Sequence, residues 1–146
     1  MKILSASELK ERLKEYLDCP SVFWDSEYRL VSDPVELTQI TQRFLRLRRD
    51  FKLRYEPDWF DCDDFARAYK FSCLLSGINA IGWAVGRVKV LDKEYGHSFN
   101  LLPVVWDGEF VLFLVEPQYD LPAFVQVRDG RARLRHLEYK VEWVEW

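Results

Sequence analysis

A thiol, an imidazole and a carboxylate occur in this order along the chain, each near the boundary of a predicted element. Cys62 opens a predicted helix, His97 precedes a predicted strand, and Glu116 follows another. These residue types are the parts of a nucleophilic cysteine site. In such a site the thiol attacks, the histidine takes its proton, and the carboxylate orients the imidazole. We therefore predict Cys62, His97 and Glu116 as catalytic residues.

The position of Cys62 suits a reactive thiol better than the positions of the other cysteines. Free backbone N–H groups and the helix dipole at a helix start favour a thiolate, and the same N–H groups can hold an oxyanion. Cys73 is predicted on the buried face in the middle of the same helix. The alternative for Cys62 is a buried core thiol, since free cysteine is among the most buried residue types. The second histidine, His136, lies in a charged strand and is predicted at the surface.

Acidic residues surround the thiol and oppose its ionisation. One like charge 4 Å away costs about 4 kcal/mol at the effective dielectric of a protein surface, which is enough to cancel the effect of the helix start. Either the acids point away, with Asp63 paired to Arg67 four residues later, or a hard cation lies among them. Calcium suits an all-oxygen cluster. The predicted calcium ligands are Asp58, Asp61, Asp63 and Asp64.

Hydrophobic spacing predicts three helices in the first half of the chain. They span Ser5–Leu17, Asp33–Arg48 and Asp61–Ser76, the last ending at a left-handed Gly77. Residues Val22–Val31 are predicted as irregular or short extended structure, and Arg54–Phe60 as a loop.

The second half changes to the period of strands. Predicted strands cover Ala80–Val90, Ser98–Val105, Glu109–Val115, Phe124–Val127, Ala132–Leu134 and Leu137–Val144, with turns at Asp92-Lys93, Asp107-Gly108 and Asp129-Gly130. Helices followed by strands indicate an α+β fold with an antiparallel sheet packed on the third helix. A hairpin about Asp107-Gly108 makes His97 and Glu116 near cross-strand neighbours at its open end, with Gly96 letting the backbone turn before His97.

Length and charge set the class of protein. With 146 residues we expect one domain over residues 1–146, with N-terminal helices in residues 1–54 and a catalytic-like core in residues 55–146. A net charge of −3 gives no general attraction for nucleic acid. The basic run from Arg43 to Arg54 is interpreted as a solvated helix face.

The number of cysteines and the hydropathy of the chain predict where the protein resides in the cell. Cys19, Cys62 and Cys73 are an odd number at irregular spacing, which fits reduced thiols in a cytoplasmic protein. We expect no secretory signal, and no apolar run reaches the ~20 residues that span a bilayer.

The block Asp61-Cys62-Asp63-Asp64-Phe65-Ala66 resembles the cysteine signature of transglutaminase-like bacterial cysteine peptidases. The order Cys62, His97, Glu116 is similar to that in the papain-like protease domain of a mushroom agglutinin. The resemblance implies a papain-like fold with Cys62 as nucleophile, His97 as base and Glu116 as orienter. It also implies calcium near Asp61 and Asp63, with Gln118 as a further ligand.

Three functions stay open at this point. The first is a cysteine hydrolase that attacks an amide carbonyl of a protein or peptide substrate, with calcium as a cofactor. The second is a non-catalytic binding module on the same fold, with exposed tryptophans as its contact surface. The third is a calcium-binding structural or interaction protein. Substrate and oligomeric state do not follow from the sequence.

Overall fold

The computed structural model describes residues 2–146 and contains three helices and nine strands within them. In chain order these are β1 (Lys2–Ser5), α1 (Ala6–Leu13), β2 (Ser21–Val22), β3 (Glu27–Leu30), α2 (Pro34–Asp50), α3 (Cys62–Leu75), β4 (Gly82–Val90), β5 (Lys93–Trp106), β6 (Glu109–Glu116), β7 (Ala123–Gln126), β8 (Arg131–Leu134) and β9 (Leu137–Glu145). The fold is mixed α and β, with the helices packed on a mostly β structure, as predicted.

One large sheet dominates the structure. Its strand order is β2-β9-β4-β5-β6-β7, with β8 paired to β9 outside this path. All these pairs are antiparallel except β2 and β9, which run parallel. The prediction of a purely antiparallel sheet is therefore wrong at one edge. β1 and β3 form a separate two-stranded antiparallel sheet.

Both faces of the large sheet are buried, because β5 alternates between two hydrophobic clusters. Phe99 and Leu101 join the cluster that includes residues of α1, whereas Leu102 and Val104 join the cluster that includes residues of α2 and α3. Residues Ser98–Val104 are accordingly buried without a break. Each cluster takes residues from both 1–54 and 55–146.

Local signals at the helix ends agree with the structure. Ser5 and Glu8 form the capping box of α1, Asp33 caps α2 with a proline after it, and Gly77 is left-handed with φ 78°. The turn Asp107-Gly108 has positive φ at both residues, as a tight hairpin requires.

Two boundaries differ from prediction. α1 ends at Leu13, and the chain continues to Leu17 through turn hydrogen bonds. β5 starts at Lys93, because the hairpin with β4 closes at Leu91 and Asp92. Gly96 therefore makes no turn: it lies inside β5 opposite Arg87.

None of the helices in residues 2–146 combines the length and apolar character that crossing a bilayer demands.

Candidate functional site

Cys62 is the first residue of α3, directly after the cap residue Asp61, whose backbone is extended. A buried side chain fixes the helix against the sheet: the Asn100 amide donates to the Ala66 carbonyl at 2.9 Å and to the Gly82 carbonyl at 3.1 Å. Asn100 stands three residues after His97 on β5, and Ala66 stands four residues after Cys62. This contact therefore sets the helix start relative to the histidine.

His97 meets Glu116 through a short hydrogen bond, with 2.6 Å between Nε2 and Oε2. The last pair of the β5–β6 ladder is Asn100 with Val115. Continuing that register places Phe99 opposite Glu116, so His97 is the diagonal neighbour of Glu116 on the same face. Glu116 is 1% exposed, so its carboxylate is shielded from water.

Tyr139 on β9 completes the carboxylate's surroundings. Its hydroxyl donates to the same Oε2 atom of Glu116 at 2.8 Å. The rings of Phe99 and Tyr139 both lie 6.0 Å from the His97 ring, centroid to centroid. The imidazole is thus held between two aromatic rings and one carboxylate.

The surroundings of His97 favour its charged form. Burial opposes the imidazolium, but the hydrogen bonds and charges of Cys62 and Glu116 outweigh it and raise the pKa of His97 to about 9. Because Nε2 bonds to Glu116, Nδ1 is the nitrogen left for the thiol. At neutral pH the imidazole is therefore protonated.

This arrangement can stabilise a thiolate. A protonated imidazole beside sulfur favours the charged, nucleophilic form of cysteine, and the N-terminus of α3 adds partial positive charge. The three predicted residues are brought together by elements far apart in sequence.

The other candidate groups lie elsewhere. Cys73 is fully buried, and burial raises the pKa of its thiol to about 12. Cys19 is half-buried, and burial likewise raises its pKa. His136 is exposed in the turn between β8 and β9, at the surface as predicted.

Of the predicted calcium ligands, the structure brings Asp61 and Asp63 together with Cys62, with one ligand atom from each residue within 4.8 Å of the others. Asp64 is engaged by the Asp61 backbone N–H at 3.3 Å and lies 3.7 Å from Arg67. Asp58 lies in the exposed loop before α3, in left-handed backbone geometry with φ 65°.

Gln118, the remaining predicted calcium ligand, lies outside that group, in the segment after β6.

The carboxyls of Asp61 and Asp63 share a hydrogen bond, which raises the pKa of Asp61 and lowers the pKa of Asp63. Arg67 donates to Asp63 at 2.7 Å, as predicted from their spacing. The Oδ1 atom of Asp61 is buried without a hydrogen-bond partner. Two oxygen donors, one with unused capacity, fit a hard cation at this position.

A cavity of about 200 Å³ adjoins the histidine and the glutamate. Its wall consists of His97, Glu116 and neighbouring aliphatic and tyrosine side chains of β4, β5 and β9, with Gln118 and Tyr119 from the segment after β6. Trp59, in the loop before α3, has a side chain that is 81% exposed.

Sequence reasoning missed Tyr139 and Asn100, two polar side chains that support the site. Asn100 sits in an apolar run, and an unexplained amide in such a run is a usable signal, since a buried amide must find partners. Tyr139 alternates with charged residues on β9 and carries no such signal.

Comparison with known proteins finds similarity in structure only. No family model matches, and no curated protein matches. A solved structure described as a PSL1a–E64 complex shares the fold with a TM-score of 0.67 and 18% identity, covering 99% of this chain and 51% of that chain. A Polyporus squamosus lectin bound to the human-type influenza-binding epitope Neu5Acα2-6Galβ1-4GlcNAc gives a TM-score of 0.65 and 17% identity, covering 99% and 49%. The present chain thus spans about half of the chains that it matches.

These comparisons correct the predicted family and function. The structures that share the fold are those of Polyporus squamosus lectin, so the assignment to papain-like or transglutaminase-like cysteine peptidases is overturned. The prediction of a cysteine hydrolase that attacks an amide carbonyl falls with it, together with the predicted cysteine protease activity. The papain-like part of the predicted fold is not confirmed, whereas its mixed α and β character is. The findings favour the binding-module alternative.

Proposed function

We propose that this chain is a ligand-binding module that holds its ligand through the sulfur of Cys62, with His97 and Glu116 preparing the thiol. The observation that carries the proposal is the imidazole of His97, which is hydrogen-bonded to the buried carboxylate at 2.6 Å and whose pKa is raised by Cys62 as well as by Glu116. A histidine placed only for packing needs neither partner. Glu116 orients the ring, and the other ring nitrogen is free to face the thiol.

The bond-forming step is a displacement at an electrophilic carbon. The thiolate of Cys62 supplies the electron pair of the new S–C bond, and the departing atom keeps the pair of the bond that breaks. Where that atom is oxygen, it takes the proton of His97. Retention of the ligand on sulfur, rather than release, distinguishes a binding module from an enzyme.

Two observations support a protein or peptide as the ligand. The sequence predicts a protein or peptide partner, and the exposed Trp59 beside α3 suits such a contact.

The location of the protein stays as predicted from the sequence. The three free thiols of the described residues fit the cytoplasmic location predicted for the chain.

Alkylation by iodoacetamide, followed by peptide mapping, tests the proposal. We expect Cys62 to react at least about tenfold faster than Cys19 or Cys73 at pH 7, since reaction follows thiolate character and exposure. Cys62→Ala should abolish the fast phase, whereas Cys19→Ala and Cys73→Ala should keep it. Equal rates at the three thiols of the folded protein would overturn the proposal, and repeated turnover of a peptide would show an enzyme instead.

A second candidate is glycan binding, favoured by the described complex of the matching lectin with a sialylated trisaccharide. The present chain covers half of that protein, so the test must be made on this chain directly. Titration calorimetry with that trisaccharide, on the wild type and on Cys62→Ala, separates the two candidates. Heat that survives the substitution places a glycan site away from the thiol, and absence of heat in both removes this candidate.

We also propose that Asp61 and Asp63 bind a calcium ion. A divalent cation there would use the free Oδ1 of Asp61 and offset the negative charge beside Cys62. Calorimetry with calcium should show binding to the wild type and at least about tenfold weaker binding to Asp63→Asn. Asp92→Asn, in the β4–β5 turn, serves as the control. Absence of heat and of any thermal shift in the wild type would remove the calcium site.

A further inference from the structure

The guanidinium of Arg48 joins two segments that carry the site. Arg48 lies in the last turn of α2 and donates to the carbonyls of three consecutive residues after Glu116. The distance is 3.1 Å to Pro117 and 3.5 Å to Gln118, and the contact to Tyr119 is shorter still. Sequence pattern assigned this arginine to a solvated helix face, and the structure corrects that interpretation.

The other side of the same guanidinium packs on aromatic rings. Its carbon lies 5.2 Å from the ring centroid of Phe65 and 5.8 Å from that of Phe44. Phe65 is three residues after Cys62 on α3 and is 1% exposed. Arg48 therefore touches the helix that presents the thiol and the backbone that follows the carboxylate.

The segment held by Arg48, residues 117–119, begins directly after Glu116. The Oε2 atom of Glu116 accepts from Tyr139 and is hydrogen-bonded to His97, and Tyr119 lines the cavity beside this group. A shift of residues 117–119 would therefore reach the imidazole through the backbone of Glu116.

Lysine cannot replace arginine in this position. A guanidinium is planar, so its edge can donate to several carbonyls while its face lies on an aromatic ring. An ammonium group is a compact point charge that serves one of these contacts at a time. Carbonyls that lose their donor in a partly buried place must move toward water, or they stay unpaired and destabilise the folded protein.

We infer that Arg48 is a positioning residue that fixes the Glu116–Tyr119 segment relative to the start of α3 and so sets the contact between His97 and Cys62. This inference rests on the proposed reactive thiol. Arg48 acts through the backbone of residues 117–119, and it touches neither the sulfur nor the imidazole.

Arg48→Lys tests the inference, with the exposed Arg46→Lys of the same helix as the matched control. We expect Arg48→Lys to slow alkylation of Cys62 about tenfold at pH 7, because small displacements in a site of this kind cost large factors in rate. The pKa of His97, followed by NMR, should fall by about one pH unit as the Glu116 contact loosens. Arg46→Lys should change neither quantity.

The variant His97→Ala, measured beside these variants, distinguishes a failure of the proposed reactive thiol from a failure of the positioning role of Arg48. If His97→Ala leaves the alkylation rate of Cys62 unchanged, the proposed reactive thiol fails and this inference fails with it. If His97→Ala slows alkylation while Arg48→Lys changes neither the rate nor the pKa of His97, only the positioning role is overturned.

A variant of the aromatic contact covers the case in which Arg48→Lys does not fold. Phe65→Leu removes the ring under the guanidinium while keeping an apolar side chain, and we expect it to slow alkylation about threefold and to lower the pKa of His97. An unchanged rate and an unchanged pKa in folded Phe65→Leu would overturn the inference.

Discussion

The two ends of helix α3 hold the same functional group in opposite environments. Cys62, in the first turn, is half-buried, raises the pKa of the His97 imidazole, and has free backbone N–H groups beside it. Cys73, near the other end, is fully buried next to Tyr69, and its pKa is raised to about 12. Residue type therefore does not decide the environment of a thiol here. The position along one helix does, because it determines which strands the thiol faces.

The substitution with the largest expected effect removes the imidazole. His97→Ala should lower the alkylation rate of Cys62 at pH 7 about 100-fold, the usual contribution of a positioned acid–base group. The rate at Cys73 should stay at its low value, so the contrast between the two thiols nearly disappears. Stopped-flow or mass-spectrometric labelling measures it, with His136→Ala as the control. A rate within twofold of the wild type would show that the imidazole does not prepare the thiol and would overturn the proposed function.

The pH dependence of stability gives the next largest effect. The pKa of His97 is raised to about 9 in the folded protein, so its stabilising contribution is complete below about pH 6.5, the unfolded value, and is lost as pH rises through 9. Between pH 6.5 and 9.5 the free energy of unfolding of the wild type should fall by about 2 kcal/mol more than that of His97→Gln. Urea unfolding at several pH values measures the difference. Parallel pH profiles would contradict the charged pair.

Removal of one hydroxyl should have the smallest effect. Tyr139→Phe keeps the ring that packs on His97 but deletes the donor to Glu116. We expect a loss of about 1 kcal/mol in stability and a slowing of Cys62 alkylation of about threefold. Tyr95→Phe, an exposed tyrosine of β5, provides the reference. Equal values for both variants would reduce Tyr139 to a packing residue.

Local signals predicted much of what positions the site. The caps of α1 and α2, the left-handed Gly77 and the Asp107-Gly108 turn are determined by residues a few positions apart. The diagonal approach of His97 and Glu116 follows from that turn, since a hairpin fixes the register of both strands.

Other features depend on tertiary contacts that short patterns do not contain. β2 has two residues, which is too short for a periodic signal, and its parallel partner β9 is the last strand of the chain. The sequence around Arg48 is as consistent with a solvated helix face as with a partly buried arginine that binds backbone carbonyls. Its partners are about 70 positions away in the sequence. The family assignment rested on six residues around Cys62, which describe a helix start with a thiol and do not determine the function of the whole chain.

The central claim is that the imidazole of His97 lies between the thiol of Cys62 and the carboxylate of Glu116. NMR titration of the imidazole protons of His97 and His136, in the wild type and in Cys62→Ala, tests this claim most directly. The account predicts a pKa of about 9 for His97 in the wild type and a clearly lower value in Cys62→Ala, where the sulfur contact is gone. A pKa for His97 near its ordinary value of about 6.5, equal in both proteins, would contradict it.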